Sequence, residues 1–467
     1  MISLRPYQQK AVDDVRESFR AGKKRPLLVL PTGGGKTICF SHITSGAAAK
    51  GKRVMILVHR QELLNQCHGS LGSIGVEHGL IRAGLTQDPS ANVQVASVQT
   101  LVRRLDRTPK PDLIIVDEAH HATAGTWNTV LNHWPEARVL GVTATPCRLD
   151  GRGLGETFDD LVEGPSVADL IEGGFLCKPL YYAPKQVDLS GIKTVAGDYN
   201  RHQMEERLDK PTITGDAVDH YRQICPGVPA IAFCTSIKHS HHVAEGFNSM
   251  GVRAAVLDGT LSDADRADRI KGLAEGRYQV LASCDLISEG TDIPVVTAAI
   301  MLRPTQSLVL FLQQGGRVLR PFQGKANSII IDAVGNTIGP RGHGLLEEPR
   351  EWSLDGAKKR KKNTALMTGP RYLSCSKCYG VFAPAPQCPF CGTVRELKDR
   401  SPEQVAGVLE QLKVDHEALA ALRLRKQEQG RAQSLGDLIR VGKARGMKNP
   451  VAWAHHVFNA RQAKRSA

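Results

Sequence analysis

No stretch of this sequence approaches the roughly 18 consecutive apolar residues that a membrane-spanning helix requires, and the N-terminus, MISLRPYQQK, lacks the apolar segment of a signal peptide. A soluble, intracellular protein without membrane contact is expected. Neither a disordered nor a collagen-like composition is present: hydrophobic residues make up 41% and charged residues 23%, ordinary globular values. Repeats of the solenoid kind are absent as well. At 467 residues the chain exceeds one small core, and at roughly 150 residues per domain about three domains are expected. Acid is also short: 61 Lys+Arg against 47 Asp+Glu leave a net charge of +14, which points to a polyanionic partner.

The acid deficit is local. From residue 345 to the end there are 23 Lys+Arg and 12 Asp+Glu, a net of +11, while the first 344 residues carry only about +3. A nearly neutral body is followed by a basic last quarter, the pattern of an engine with a nucleic-acid-handling tail.

Short Val/Ile/Leu runs recur through the first 150 residues, at Leu27–Leu30, Val54–Val58, Val93–Val95, Leu113–Val116 and Val139–Val142. Continuous apolar runs suit strands buried on both faces of a parallel sheet, and stretches such as Glu62–Leu71 are long enough for crossover helices. The alternation predicts a doubly wound α/β domain. It fades over about 151–215, where one helix (Val167–Gly173) and a connector at Lys178–Lys185 are expected. It resumes at Ala230–Cys234, Ala254–Leu257, Val280–Ala282, Ala298–Leu302 and Ser328–Ile331, implying a second α/β domain.

Pro31-Thr-Gly-Gly-Gly-Lys-Thr37 follows the first buried strand directly and precedes a helix. Thr32, Gly33, Gly34 and Gly35 let backbone N–H groups curl around a phosphate. Lys36 supplies a point charge for the β- and γ-phosphates, and Thr37 places a hydroxyl on Mg²⁺. The general phosphate-loop pattern would need glycine at position 30, where this chain has Leu30. A second element, Leu113-Ile-Ile-Val116, ends in Asp117 and Glu118 at the C-terminal edge of a buried strand, where open α/β sheets bind ligands. Asp117 suits Mg²⁺, and Glu118 suits a water to be oriented and deprotonated.

In this order and spacing, Pro31–Thr37, Asp117-Glu-Ala-His120, Thr143-Ala-Thr-Pro146 and Gln313-Gln-Gly-Gly-Arg-Val-Leu-Arg320 resemble motifs I, II, III and VI of superfamily 2 helicases and translocases. The resemblance covers about residues 1–340, and the proline-led loop is itself similar to that superfamily's motif I. Leu4–Val12, Val58–Leu63, Thr143–Gly151, Ser288–Pro294 and Arg303–Gln314 are most similar to bacterial RadD-like DNA-repair ATPases and phage-encoded DEAD/DEAH-type helicases. The resemblance implies two RecA-like domains with ATP between them. It implies that Gln8 reads adenine, that Gly290 and Asp292 lie at the nucleotide with Asp292 on the ribose, and that Arg317 and Arg320 reach the γ-phosphate from the second domain. An arginine delivered from a separate element raises phosphoryl transfer by roughly 10³–10⁵. By the same resemblance His120, Thr143, Thr145 and Gln313 couple the ATP site to the domain interface. His59, Arg60, Gln66, Ser97, Gln99, Thr235 and Ser236 would touch a nucleic-acid backbone, with little base specificity.

Of eleven cysteines, four form two CxxC pairs, Cys375/Cys378 and Cys388/Cys391, nine residues apart. Tight CxxC turns aim thiolates at one point, and two such knuckles complete a tetrahedral four-cysteine site. Zinc is the favoured ion, although a rubredoxin-like iron centre has similar knuckles. The other seven cysteines have no ligand spacing, which suits a reducing compartment. Residues 402–467 combine helical periodicity with twelve Lys and Arg, suited to phosphate neutralisation. They resemble the basic helical endings of phage helicases that carry a Gly and a Trp, here Gly446 and Trp453.

The expected architecture is α/β: two tandem RecA-like doubly wound domains, a small zinc ribbon and a basic helical tail. The expected divisions are an ATP-binding domain (1–184), a connector (185–214), a second RecA-like domain (215–345), a basic linker (346–370), a four-cysteine ribbon (371–394) and the tail (400–467). The expected protein is a monomeric ATPase in the cytoplasm of a bacterium or phage-infected host, with ATP, Mg²⁺ and Zn²⁺. Its partner would be DNA, single-stranded, forked or duplex, with a protein partner at the ribbon or tail. Three readings stay open at this point: an unwinding motor, a remodeller of branched DNA or protein–DNA complexes without unwinding, and an ATP-switched nucleic-acid-binding adaptor.

Overall fold

The computed structural model describes residues 3–394 apart from 123–124, 149, 185–187, 196, 286–292, 339–341 and 357–371. Further along it describes 428, 432, 434–447 and 449–465. Two compact units result, Met1–Glu396 and Leu397–Ala467. The basic run Lys358–Lys362 and the helical periodicity expected from Val405 to Leu412 lie outside the described residues, as do Gly290 and Asp292.

The first sheet has seven strands: β1 (Pro26–Val29), β2 (Val54–Val58), β3 (Gly79–Ile81), β4 (Val93–Ser97), β5 (Leu113–Asp117), β6 (Arg138–Thr143) and β7 (Asp160–Glu163). Their order is β3-β4-β2-β5-β6-β1-β7, every pairing parallel. All residues of β1, β2 and β5 are buried, because crossover helices cover both faces and leave no side for polar alternation. On one face lie Val12, Val15, Phe40 and Leu64 from helices Pro6–Arg20, Lys36–Ala48 and Gln61–Ser73. On the other lie Trp127, Leu131 and Phe158.

The second sheet is formed by β8 (Lys178–Tyr182), β11 (Ala230–Phe233), β12 (Ala254–Leu257), β13 (Val280–Ser283), β14 (Ala298–Met301) and β15 (Asn327–Asp332). Its order is β12-β13-β11-β14-β15-β8, also parallel. β8 corrects the expected division. Lys178–Lys185 was expected to be connector and 1–184 one domain, yet β8 is the edge strand of the second sheet, in register with β15 from Lys178 opposite Asn327 to Tyr182 opposite Ile331. Alternating exposure along Lys178-Pro-Leu-Tyr-Tyr182, an edge-strand pattern, removes the continuous apolar run that marks the other strands. The expected connector is also structured. It holds the hairpin of β9 (Thr194–Val195) and β10 (Asp198–Tyr199), turned through Gly197 at φ +87°, and the helix Arg201–Leu208.

Within the described part of the second unit, helix Leu435–Ala444 is capped by Ser434, whose hydroxyl accepts from Asp437 N, with Asp437 returning the bond. It packs against helix Pro450–Arg465 around Leu438 and Ala454. The Arg445 guanidinium lies 5.7 Å over the Trp453 ring, and no Cβ would fit at Gly442, 2.9 Å from Pro450. No helix among the described residues is long and apolar enough to cross a membrane.

One buried histidine makes the second RecA-like domain acid-sensitive. His239, in helix Ile237–Ser249, is fully covered; its Nδ1 accepts from the Thr235 amide (3.3 Å) and faces the Thr235 hydroxyl at 2.9 Å, while its Nε2 has no hydrogen-bond partner among the described residues. Burial pushes it down to about 4, against the smaller opposing pull of Asp209. The unfolded chain therefore takes up this proton first, so stability that is complete above about pH 6.5 is lost as pH falls towards 4, by up to about 3 kcal/mol. In thermal melts at stepped pH, the wild-type midpoint should fall through this window, and His239→Asn, which keeps an acceptor facing Thr235, should flatten the dependence.

Candidate nucleotide site, metal centre and nucleic-acid cleft

The loop after β1 turns on two glycines in the left-handed region, Gly33 (φ +87°) and Gly35 (φ +84°), and delivers Lys36 to the first turn of its helix. Backbone N–H groups there face outward with the positive end of the helix dipole. A Cβ at Gly35 would stand 2.2 Å from Gln8 Nε2, so the side chain of Gln8 lies directly on the loop. Its amide is engaged there: Nε2 donates to the Gly34 carbonyl at 3.3 Å, and Oε1 accepts from Arg5 N at 3.0 Å. Tyr7 Oη donates to the same carbonyl at 3.1 Å. Gln8 thus braces the phosphate loop, and Arg5 rather than Gln8 lines the adjoining cavity.

That cavity, of about 350 Å³, brings most of the expected nucleotide residues together: Thr32, Gly33, Gly35, Lys36 and Thr37 from the loop, Asp117 and Glu118 from the end of β5, and Gln313, Arg317 and Arg320 from the second domain. Glu118 is buried at φ +48°, a conformation that non-glycine residues seldom adopt. Its Oε1 is 3.8 Å from Lys36 Nζ and its Oε2 is 3.4 Å from His120 Nδ1, while Asp117 Oδ1 accepts the Glu118 amide at 3.0 Å. A chain of short contacts leads inward from there: His120 Nδ1 to Thr143 Oγ1 (3.3 Å), then the Thr143 hydroxyl to the Thr145 carbonyl (2.9 Å).

The second domain reaches this loop through helix Leu308–Gly316 and the turn Arg317–Leu319. A Cβ at Gly316 would meet Thr32 Cβ at 2.6 Å, and one at Gly33 would meet Leu176 at 2.9 Å. The two glycines therefore allow the loop and the second domain to touch backbone to side chain. Lys325 fixes the end of this segment, donating to the carbonyls of Arg320 (2.8 Å) and Val296 (2.7 Å), and burial pushes its ammonium down to about 8. The polar groups fit a triphosphate with Mg²⁺: a cationic lysine and two arginines face a pair of carboxylates and a hydroxyl across one cavity.

Two further cavities, of about 610 and 680 Å³, share Arg60, Arg201, His202 and Asp285. Arg60 donates to the Asp285 carbonyl at 3.3 Å, joining the two domains. The Asp285 carboxylate binds Arg201 at 2.8 Å and the buried Arg303. Ser97, Gln99 and His59 gather at the C-terminal edge of the first sheet, with Ser97 Oγ to Gln99 Oε1 at 2.8 Å and Gln99 Nε2 to the His59 carbonyl at 3.1 Å. Thr235 lines the larger cavity beside Ser236, though its own hydroxyl is engaged by His239. Gln66, expected on the nucleic-acid path, lines the nucleotide cavity, because Leu63, Gln66 and Ser70 fall on the one face of their helix that looks toward the phosphate loop. Gln313 lines both the nucleotide cavity and the cleft, and its buried Nε2 has no hydrogen-bond partner among the described residues.

Sequence reasoning missed Arg5 at the nucleotide cavity, Asp285 with its arginines, the ion pair of Glu62 with Arg266 across the domains, and the tilted ring contact of His59 and His121 (centroids 4.5 Å apart). Adjacent polar residues at strand ends carry no periodic signal. Only the position of Asp285 directly after β13, at a C-terminal sheet edge, marked it.

The four expected ligands converge. The Sγ atoms of Cys375, Cys378, Cys388 and Cys391 lie within 4.8 Å of one another, with Cys375–Cys391 at 3.6 Å and Cys378–Cys388 at 3.7 Å. Tetrahedral zinc at about 2.3 Å from each sulfur sets neighbouring sulfurs about 3.8 Å apart, so the set fits that ion. Lys377 N donates to Cys375 Sγ at 3.4 Å, and hydrogen bonds from Thr393 push the Cys391 thiol down to about 6, favouring the thiolate a metal needs. The ribbon is built on β16 (Leu373–Ser374) and β17 (Val381–Phe382), and it docks on the exposed side of β8. The Ala183 amide donates to the Tyr379 carbonyl at 3.0 Å, Ser374 Oγ donates to the Ala183 carbonyl at 2.6 Å, and Tyr182 bridges to Gly380.

Residues 1–148 match the family described as type III restriction enzyme, res subunit, and residues 216–321 match the helicase conserved C-terminal domain. A 51.5 kDa protein of Lactococcus phage (isolate 7-9) is 35% identical over 364 residues, 78% of this chain and 76% of that protein. A Saccharomyces cerevisiae protein assigned as the ATP-dependent helicase IRC3 is 30% identical over 357 residues, 71% of this chain but only 51% of that protein's length. The DNA 3'-5' translocase XPB2 of Sulfurisphaera tokodaii is 24% identical over 395 residues, 75% of this chain and 85% of that protein.

Two measurements check these sites. Gly316→Ala should lower ATP turnover at least about tenfold in a protein that melts as wild type, since the added methyl must push Thr32 and the second domain apart. Metal analysis should find one zinc ion per chain, and Cys388→Ser should both lose it and lower the melting temperature.

Proposed function

The chain belongs to the superfamily 2 DEAD/DEAH-type helicases, and from that footing we propose that it is an ATP-driven DNA motor in which hydrolysis at the domain interface moves or unwinds DNA in the adjoining cleft. The observation that carries this reading is the single cavity in which Lys36 and Glu118 of the first domain face Arg317 and Arg320 of the second. Lys36 binds the β- and γ-phosphates, while Thr37 and Asp117 hold Mg²⁺, which when bound neutralises phosphate charge. Glu118 orients the attacking water and accepts its proton. Arg317 and Arg320 stabilise charge on the transferring phosphoryl group and can do so only while the domains are closed, which ties hydrolysis to domain motion.

Gln8 holds the loop in its ligand-ready form and meets adenine once its bonds to Gly34 and Arg5 are exchanged; Gly290 and Asp292 take the sugar side. His120, Thr143, Thr145 and Gln313 relay closure to the cleft, where Arg60, Ser97, Gln99 and Thr235 contact the strand through its backbone. DNA is the polymer favoured by the relative that is a DNA translocase. The setting proposed is repair, recombination or phage replication in a bacterial or phage-infected cytoplasm, with the protein acting as a monomer and a protein partner at the ribbon or tail.

Lys36→Ala and Glu118→Gln should each lower DNA-stimulated ATP turnover by at least about 10³ while leaving the melting temperature and DNA binding in place. Normal turnover in either variant overturns the assignment. Strand displacement measured beside ATPase on forked DNA separates an unwinding motor, which releases strands, from a remodeller, which hydrolyses ATP without releasing them.

A further inference from the structure

In a parallel sheet all strand starts lie on one edge, so the segments entering β2, β4, β5 and β6 of the first domain gather about 17 Å from the nucleotide edge, one strand length away. There they enclose a concavity of about 1240 Å³, whose lining includes Arg16, Arg20, Lys50, Lys52, Arg53, Lys110 and Arg138, against only Asp112 and Glu136 as acids. All seven cations are exposed. One of the two acids is already engaged: Asp112 pairs with Lys52 at 3.3 Å and accepts the Arg53 amide at 2.9 Å. Arg20, Lys50, Arg53, Lys110 and Arg138 make no ion pair within 4.0 Å among the described residues, and Arg138 instead lies over the Phe19 ring at 5.4 Å.

Helix ends account for part of this charge. Arg20 closes helix Pro6–Arg20, and Lys50 follows helix Lys36–Ala48, where a cation is favourable in any case. Lys52, Arg53, Lys110 and Arg138 precede or begin strands, and no helix dipole explains them. The first 344 residues are nearly neutral as a whole, about +3, so a lining of net +5 at one edge is a concentration and not a share of a general surplus.

We propose that this concavity is a second nucleic-acid contact, gripping the sugar–phosphate backbone of duplex DNA on the face of the first domain opposite its nucleotide edge. A lining dominated by cations suits a polyanionic backbone: the exposed lining side chains are arginines, lysines, Asn92 and the two acids, while Ile43, Leu113 and Pro111 are covered. A protein partner would need an exposed apolar or aromatic anchor at its centre; the one aromatic of this lining, Phe19, is half-buried and lies beneath the Arg138 guanidinium, 5.4 Å from its ring. The identity of the polymer rests on the DNA-motor reading; the charge cluster does not. With the motor working in its cleft, a grip on the duplex outside that cleft keeps the first domain on its track while the second domain moves.

The test uses the full chain with Lys50 and Lys110 both changed to Glu, neither of which belongs to the nucleotide site or the cleft. Binding of a fluorescent 30-base-pair duplex is followed by anisotropy from 50 to 300 mM salt, beside ATP turnover without DNA. The expected result is at least about tenfold weaker duplex binding, a salt slope reduced by about two, and unchanged DNA-free turnover. Wild-type affinity and slope in the variant overturn the proposal. So does a variant that binds duplex normally but loses binding of a poly-glutamate peptide, which would assign the concavity to an acidic protein. The motor reading fails separately, through absence of turnover in the wild-type protein, and the binding arm stays readable in that case.

Discussion

The approach of Gly316 to Thr32 is the constraint on which the rest of the molecule depends. The phosphate loop belongs wholly to the first domain and the two arginines wholly to the second, and they share a cavity only because a helix of one sheet rests against a loop of the other without an intervening Cβ. Around that contact the remaining groups find their places. Lys325 holds the arginine segment from behind through two carbonyls, Gln8 and Tyr7 hold the loop through Gly34, and Glu62 with Arg266 ties the domains at a second point. The nucleotide's charge is thus met by groups oriented before it arrives, the arrangement in which electrostatic stabilisation needs least reorganisation.

Gln313 joins this constraint to the cleft. It is buried, borders both the nucleotide cavity and the cavity that holds Arg60 and Asp285, and has an amide nitrogen without a partner among the described residues. A buried donor in that condition is costly, and it gains a bond only when a ligand or a shift of its helix brings an acceptor. The histidines continue the connection on the first domain, from Glu118 through His120 to His121 and His59, whose tilted rings have centroids 4.2 and 4.5 Å apart.

Much of this was legible in the sequence, and the remainder was hidden for physical reasons. Strands buried on both faces announce themselves as apolar runs, which is why β1, β2, β4, β5 and β6 and the five strands from β11 to β15 fall where the runs predict. β3, β7 and β8 lie at sheet edges, where half the residues meet solvent and the run dissolves. Glycine-rich loops and acids at strand ends carry their chemistry in residue type and are readable one motif at a time. The face of Gln66 depended on how a helix is rotated on its sheet, and the charge cluster at the strand starts depended on four segments far apart in sequence meeting along one edge. The four cysteines were readable by spacing alone, whereas the docking of their ribbon on β8 required knowing that β8 was an edge.

β8 is also the tether through which the second domain is pulled. The chain leaves the first sheet at β7, passes through the helix Val167–Glu172 into β8, and only then enters the rest of the second domain, so tension between the domains is transmitted along this strand. Its pairing with β15 is parallel over five residues, and a pull along the strand loads those bonds in shear, so they must yield together rather than peel one by one. The ribbon fastens the opposite side of the same strand end, at Tyr182 and Ala183, so the cysteine knuckles act as a mechanical clamp on this tether.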